Sequence, residues 1–193
     1  TRNFLKASEA LVEITNECGA VTPDTPFIEA VQRGAAQLSA ALEQAVAQGR
    51  ISLADLFDDK YQAVPGSNPA QVTTRFVALA DELFPPVQEE LLAFDRKVVF
   101  CAAVDRNGYL PTHNLKFSQP QGADPVWNAA HARNRRVFND RTGLAAGRNE
   151  RRFLLQTYRR DMGGGQRVLM KDLSAPITVQ GRHWGGLRLA YSF

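Results

Sequence analysis

The stretch Lys97-Val-Val-Phe-Cys-Ala-Ala-Val104, followed by Asp105-Arg-Asn-Gly108, decides the fold. The first eight residues form a nearly continuous apolar run. The Asp-Arg-Asn-Gly tetrad that bounds it is a strong tight-turn signal. Tyr109 to His113 then reads as the returning strand. At this point the chain changes period. Residues before it carry apolar side chains at helical spacing, and most of those after it alternate.

Towards the N-terminus, Phe4 to Glu17 carries Leu5, Leu11, Val12 and Ile14 in a rough 3.6-residue repeat, with Gly19 as its stop. Thr1 stands within what reads as a helix, which suggests a piece of a longer chain. Thr22-Pro-Asp-Thr-Pro26 is a break. Asp24 or Thr25 can cap the next helix, with Pro26 in its first turn. The stripe Phe27, Ile28, Val31, Leu38, Ala41, Leu42, Ala45 and Val46 runs to Gly49. Ser52-Leu-Ala-Asp55 has the form of a capping box and predicts a short helix. Pro65-Gly-Ser-Asn-Pro69 is a loop. Gln71 to Phe84 is helical again, and Pro85-Pro86 kinks or restarts it before Phe94.

Towards the C-terminus, Pro125 to Phe138 reads as a helix. Phe153 to Asp161, Arg167 to Val179 and Arg182 to Tyr191 read as strands. Gly163-Gly164-Gly165 and Gln180-Gly181 are the turns between them, so these three strands are antiparallel neighbours. The glycine run is not a phosphate loop, because no Gly-Lys-Ser/Thr follows it.

The order is helices and then β-β-α-β-β-β. It predicts an α+β fold of PAS or Cache type, with N-terminal helices before a five-stranded antiparallel sheet. Helices fall between strands two and three, and strand one lies centrally between strands two and five. Residues 1–95 would be the helical region and 96–193 the sheet domain, packed as one unit. In such a fold the sheet and the inter-strand helices cup a ligand.

Composition sets the outer limits. The chain has 193 residues and 21.3 kDa, the size of one domain or one domain with a helical extension. With 44% hydrophobic and 22% charged residues, wholesale disorder is excluded. No apolar run reaches the roughly 18 residues that span a bilayer, and no signal peptide opens the sequence. Cys18 and Cys101 are too few for a disulfide scaffold or a Cys-only zinc site, though one disulfide between them stays open.

The net charge of +3 hides an asymmetry, since residues 1–100 sum to −6 and residues 101–193 to +9. The simplest reading is that the acidic half packs against the basic half. Arg133-Asn-Arg-Arg136 is too short and too interleaved with apolar residues for a nucleic-acid arm.

Several long stretches resemble a known family. They are Asp55-Leu-Phe-Asp-Asp59, Pro65-Gly-Ser-Asn-Pro69, Phe100-Cys-Ala-Ala-Val-Asp-Arg-Asn-Gly-Tyr-Leu-Pro-Thr-His-Asn114 and Asp124-Pro-Val-Trp-Asn128. They continue with Arg133-Asn-Arg-Arg136, Leu155-Gln-Thr-Tyr-Arg-Arg-Asp-Met-Gly163 and Gly181-Arg-His-Trp-Gly185. Together they resemble the domain at the C-terminal end of many proteobacterial methyl-accepting chemotaxis proteins, after the signalling coiled coil. The resemblance covers almost the whole chain. It implies a cytoplasmic sensory module in chemotaxis or related signal transduction, and it names no ligand. One position departs from the pattern. Many relatives carry Cys where this chain has Ala132, beside His131.

Two residue sets could carry binding chemistry. His113, His131, His183 and Cys101 are the soft-ligand candidates. On the predicted topology Cys101 lies on the central strand, with His113 and His183 on its neighbours. In the last strand the odd positions His183, Leu187, Leu189 and Tyr191 share the inward face, provided no bulge intervenes. A metal site of His113, His183 and Cys101, closed by Trp127 or Trp184, would suit iron, zinc or haem. The second set is Trp127, Arg133, Tyr158, Arg160, Asp161 and Trp184. Aromatic walls with arginines and a carboxylate suit a small anionic or zwitterionic ligand.

The expected function is therefore a non-enzymatic sensor. Ligand binding would change how the sheet packs on the N-terminal helices, which pass the signal to the signalling domain of the parent chain. The wide apolar stripe from Phe27 to Val46 predicts a homodimer through those helices. No nucleic acid or membrane contact is expected of this segment. The alternative is a metal-dependent enzyme using His113 and His183. Against it stands the lack of paired carboxylates or a third firm ligand.

Overall fold

A computed structural model of the chain describes residues 2–161 and 167–193, with the side chains of 2–5, 16, 17, 160, 161 and 167 outside the description. Helix α1 spans Arg2–Glu17 and α2 spans Thr25–Ala47, with Pro26 in the first turn of α2. Short α3 covers Leu53–Leu56, where the Ser52 hydroxyl accepts from Asp55 N as the capping-box spacing requires. A two-residue ladder follows, β1 (Gln62–Ala63) against β2 (Val72–Thr73). It adds strand to a half that the sequence reads as helical. Helix α4 (Val77–Leu92) begins later than predicted and runs through Pro85 and Pro86.

Next come β3 (Val98–Asp105) and β4 (Tyr109–Leu110), then α5 (Pro125–His131), β5 (Arg136–Val137) and α6 (Arg141–Gly147). The last three strands are β6 (Leu154–Asp161), β7 (Arg167–Val179) and β8 (Arg182–Ser192). The predicted turn at Gly163-Gly164-Gly165 lies outside the described residues.

Among the described residues the main sheet has four antiparallel strands in the order β3-β8-β7-β6, not five. The sequence places strand one at the centre; here β3 is an edge. Strand two is short and pairs with β5 in a separate ladder. Three local causes divert it. Asp105 Oδ1 accepts from the backbone N–H of Asn107 and Tyr109, which tightens the turn. Gly108 sits at φ +82°, and a Cβ there would run into the Phe138 carbonyl, which binds this turn to β5. Pro111 has no N–H to extend the ladder. The open edge of β3 is satisfied by side chains instead. Cys101 N donates to Asn114 Oδ1 and Ala103 N to Gln88 Oε1, at 2.8 and 2.9 Å.

The sheet separates two cores by side-chain parity. On one face Cys101, Ala103, Leu173, Ala175, Ile177, Leu187, Leu189 and Tyr191 join the large core under α2 and α4. The stripe Phe27, Ile28, Val31, Leu38, Leu42 and Ala45 is buried there. The chain's own sheet thus covers the apolar face whose width predicted a dimer. Phe27 stacks flat on Tyr191 at 4.1 Å. Asp24, at the start of α2, does not cap the helix with its side chain. Its carboxylate accepts from Lys171 Nζ and Tyr191 Oη, pinning α2 to β7 and β8. On the other face Phe100, Ala102, Val104, Met170 and Ala190 form a smaller core with Leu110.

The charge asymmetry is used across the fold. Arg106–Asp59, Arg135–Asp81, Arg151–Glu13 and Lys171–Asp24 each join the basic half to the acidic half. Cys18 is exposed and Cys101 buried, and both are free thiols. Among the described residues no helix is long and apolar enough to cross a membrane.

Candidate functional site

The second face of the sheet does not close completely. Between it and the segment from β4 to α6 lies a cavity of about 780 Å³. Its floor is strand: Phe100 from β3, Tyr158 and Arg159 from β6, and Arg188 from β8. Its roof and walls are Leu110, His113, Phe117, Val126, Ala129, His131, Arg133 and Phe138, with Asp140 and Thr142 at the start of α6. The helix α5 is placed over the opening by Asp124, whose side chain accepts from Val126 N, with Pro125 in the first turn. Helix α6 can approach the sheet because Gly186 offers no side chain; a Cβ there would meet the Ala146 carbonyl.

The polar groups around the cavity are held in fixed pairs. Arg188 is 7% exposed and Asp172, beneath it on β7, is fully buried. Arg188 Nε donates to Asp172 Oδ1 at 3.3 Å and Nη2 to Oδ2 at 2.6 Å. Burial works against the Arg188 charge, but Asp172 outweighs it and raises the guanidinium pKa. For Asp172, burial raises the pKa against the pull of Arg188. The guanidinium carbon also lies 5.5 Å from the centre of the Phe100 ring. Asp140 Oδ1 is taken up by the backbone N–H of Thr142 and Gly143. Arg133 and Arg136 both lie over the Phe138 ring, each 5.1 Å from its centre.

Of the residues predicted to bind a small ligand, the structure brings Arg133 and Tyr158 to this cavity. Trp127 lies on the adjoining helix α5, 41% exposed and stacked at 4.5 Å on His131. Arg160 and Asp161 are on β6, with side chains outside the described residues. Trp184 is elsewhere. It fills the large core against Phe76 and Phe84, and its Nε1 donates to the Leu56 carbonyl.

The three residues predicted to share a metal are not brought together. Cys101 belongs to the core under α2 and α4, on the opposite face from its neighbour Phe100. Its thiol is pushed well up in pKa, chiefly by burial, so the thiolate that a metal needs is disfavoured. His113 lines the cavity, packed edge-on against Phe100 at 5.4 Å and Phe117 at 4.9 Å. Its Nδ1 accepts from Asn114 N at 2.7 Å, so in the neutral ring the proton sits on Nε2. Neither nitrogen then offers a metal a free lone pair.

His183 is turned away by a bulge. The register of β7 and β8 shifts between Ile177 and Thr178, which makes Trp184 the extra residue. Trp184 takes the core position, and His183 faces α6 instead of the inward face. Its Nε2 donates to the Gly147 carbonyl at 2.8 Å, and its buried Nδ1 has no hydrogen-bond partner. His131 has the converse geometry, with Nδ1 donating to the Trp127 carbonyl and Nε2 left as the acceptor. Among the described residues no group of three or more His, Cys, Asp or Glu side chains gathers to hold a metal ion. Iron, zinc and haem therefore have no preformed ligand set of the predicted kind in this arrangement.

Several cavity residues were not singled out from the sequence as ligand contacts: Phe100, Phe117, Phe138, Asp140, Thr142 and Arg188. A signal existed for one of them. Arg188 and Asp172 stand at even positions within strands whose odd positions are mostly apolar, on the face that the main core does not use.

In comparisons with known proteins, no protein-family model matches the chain and no match is found among curated proteins.

Proposed function

We propose that this chain is a cytoplasmic, non-catalytic sensory domain of the PAS/Cache kind, acting in chemotaxis or related signalling. Its ligand is a small organic molecule held in the cavity on the second face of the sheet. The observation that carries this reading is the cavity itself. Its volume falls in the usual range for organic ligands, and it combines an apolar lining with a few fixed polar groups. The resemblance of the sequence to receptor-associated domains points to the same role.

A binding role suits the side chains better than a catalytic one. Asp140 is committed to capping α6, and Asp172 to Arg188. A carboxylate acting as general base must be free to take a proton at the reacting atom.

A route to the N-terminal helices starts at β6. Tyr158 lines the cavity, and the adjacent Thr157 N donates to Glu9 of α1 at 2.6 Å. A ligand that shifts β6 would shift this contact and pass the change to α1. With the α2 stripe covered, self-association of the helical half falls on α1, where Leu11 and Ile14 are 63% and 56% exposed.

Thermal unfolding against a metabolite panel tests the reading, with absorbance and elemental analysis on the same sample. Binding at 100 times Kd adds about 2.7 kcal/mol. For a chain of this size that raises Tm by roughly 5–10 °C. The expected outcome is a colourless, metal-free protein stabilised by organic compounds. Stoichiometric iron or haem, or no response to any compound, would contradict it.

A further inference from the structure

The chemistry of the cavity narrows the ligand further. This step rests on the ligand-binding reading above. Arg188 is more than nine-tenths buried, yet it lines the cavity. Its Nε and Nη2 are spent on Asp172, while Nη1 makes no hydrogen bond among the described residues. A guanidinium offers five donors, so the edge formed by Nη1 and the second Nη2 hydrogen is left to meet an acceptor. That acceptor must itself be worth burying. A carboxylate fits the fork in two-point fashion.

The charges set the number of anionic groups. Asp172 already neutralises Arg188, so the pair alone offers a directional donor rather than a net charge. Arg133 and Arg159 tip the wall towards positive, and Asp140 tips it back. One carboxylate suits this balance better than two. An ammonium group is less well served than by a free carboxylate, because Asp140 Oδ1 already accepts from two backbone amides, which leaves Oδ2 alone, and Asp172 is buried in its pair with Arg188. The body of the ligand meets rings. Phe100, Phe117 and Phe138 line the cavity, which suits a flat π-surface more than a short aliphatic chain.

We infer that the cavity takes an aromatic monocarboxylate that lacks an ammonium group, its carboxylate on the free edge of Arg188 and its ring among Phe100, Phe117 and Phe138.

Isothermal titration of the chain with matched compounds tests the inference. The probes are phenylacetate and indole-3-acetate, their neutral amides, the zwitterions phenylalanine and tryptophan, and acetate. The ring acids are expected to bind, with the amides and the amino acids each at least about tenfold weaker and acetate undetectable. Arg188→Lys keeps a cation for Asp172 but loses the fork, and is expected to weaken the ring acids about tenfold or more. Phe117→Ala, away from the buried pair, is expected to weaken the ring acids in titrations run well below its own unfolding midpoint. Equal or tighter binding of the amides or the amino acids would overturn the inference while leaving a ligand sensor standing. Neither ring acid binding, while the metabolite panel yields another ligand, would overturn it in the same way. No binding of any compound, here or across that panel, would overturn the sensor reading as well.

Discussion

Asp105 shows how one side chain fixes the geometry around it. It is 5% exposed and organises the turn after β3 through Asn107 N, Tyr109 N and the Tyr61 hydroxyl. Burial pushes its carboxyl pKa up, against those donors, which favour the charged form. The folded protein therefore keeps this proton to a higher pH than the unfolded chain, in which Asp titrates near about 3.9. The unfolding free energy contributed by Asp105 is greatest below that value and falls as pH rises through the raised pKa. Urea unfolding of the wild type and Asp105→Asn across pH 3.5–7.5 measures this. The stability of the wild type relative to the variant is expected to decline with rising pH; a rise would contradict the assignment. The Asp-Arg-Asn-Gly turn was legible in the sequence because its residue types demand a turn. The burial of Asp105 was not, because it depends on Tyr61, a residue 44 positions away.

Among the elements, the edge of β3 departs most from the expected plan. A fifth strand was predicted to cover it. Asn114 and Gln88 side chains close it instead, and Asn114 serves a second purpose. The Asn114 amide also donates to the Gln88 carbonyl and to Glu89 Oε1, joining the loop after β4 to α4. Asn114→Ala leaves the buried Cys101 N–H without its acceptor, and is expected to cost about 1–3 kcal/mol. Equilibrium denaturation gives the loss, and amide exchange at Cys101 should accelerate more than at Leu189 on the paired strand. Unchanged exchange at Cys101 would show that the edge is protected otherwise. The long strands β3, β6, β7 and β8 and the helices α1, α2 and α4 were readable because their apolar periods are sustained. The two-residue strands were not, since they rest on pairings between distant segments. The His183 bulge was hidden for a related reason. Parity along Arg182 to Tyr191 assumes an even register, and only the partner strand reveals the extra residue at Trp184.

For the whole molecule, the sheet divides a fully packed face from one that keeps a cavity. One face carries the aromatic and aliphatic core under α2 and α4, including the buried Trp184. The other carries an ion pair, rings and open volume. From the sequence, the switch of period and the antiparallel trio of strands were sound guides to this layout. The site was only half visible. Arg133 and Tyr158, which the sequence offers for their chemistry, both line the cavity, whereas Cys101 and Trp184, offered on the same ground, face the other core. Alternation along β3 puts Cys101 opposite Phe100, but across the bulge in β8 it misplaces Trp184, and it cannot say which face stays open. On the proposed function, ligand enters the second face of the sheet. A two-dimensional NMR titration with phenylacetate tests it most directly, because the chain has only two indole N–H groups, Trp127 and Trp184. Shifts are expected at the amides of Phe100, Phe117 and Arg188 and at the Trp127 indole, with the Trp184 indole and the region around Cys18 unmoved. Saturable shifts centred on Trp184 and the α2–α4 core, or no shifts at Phe100 and Arg188, would contradict it.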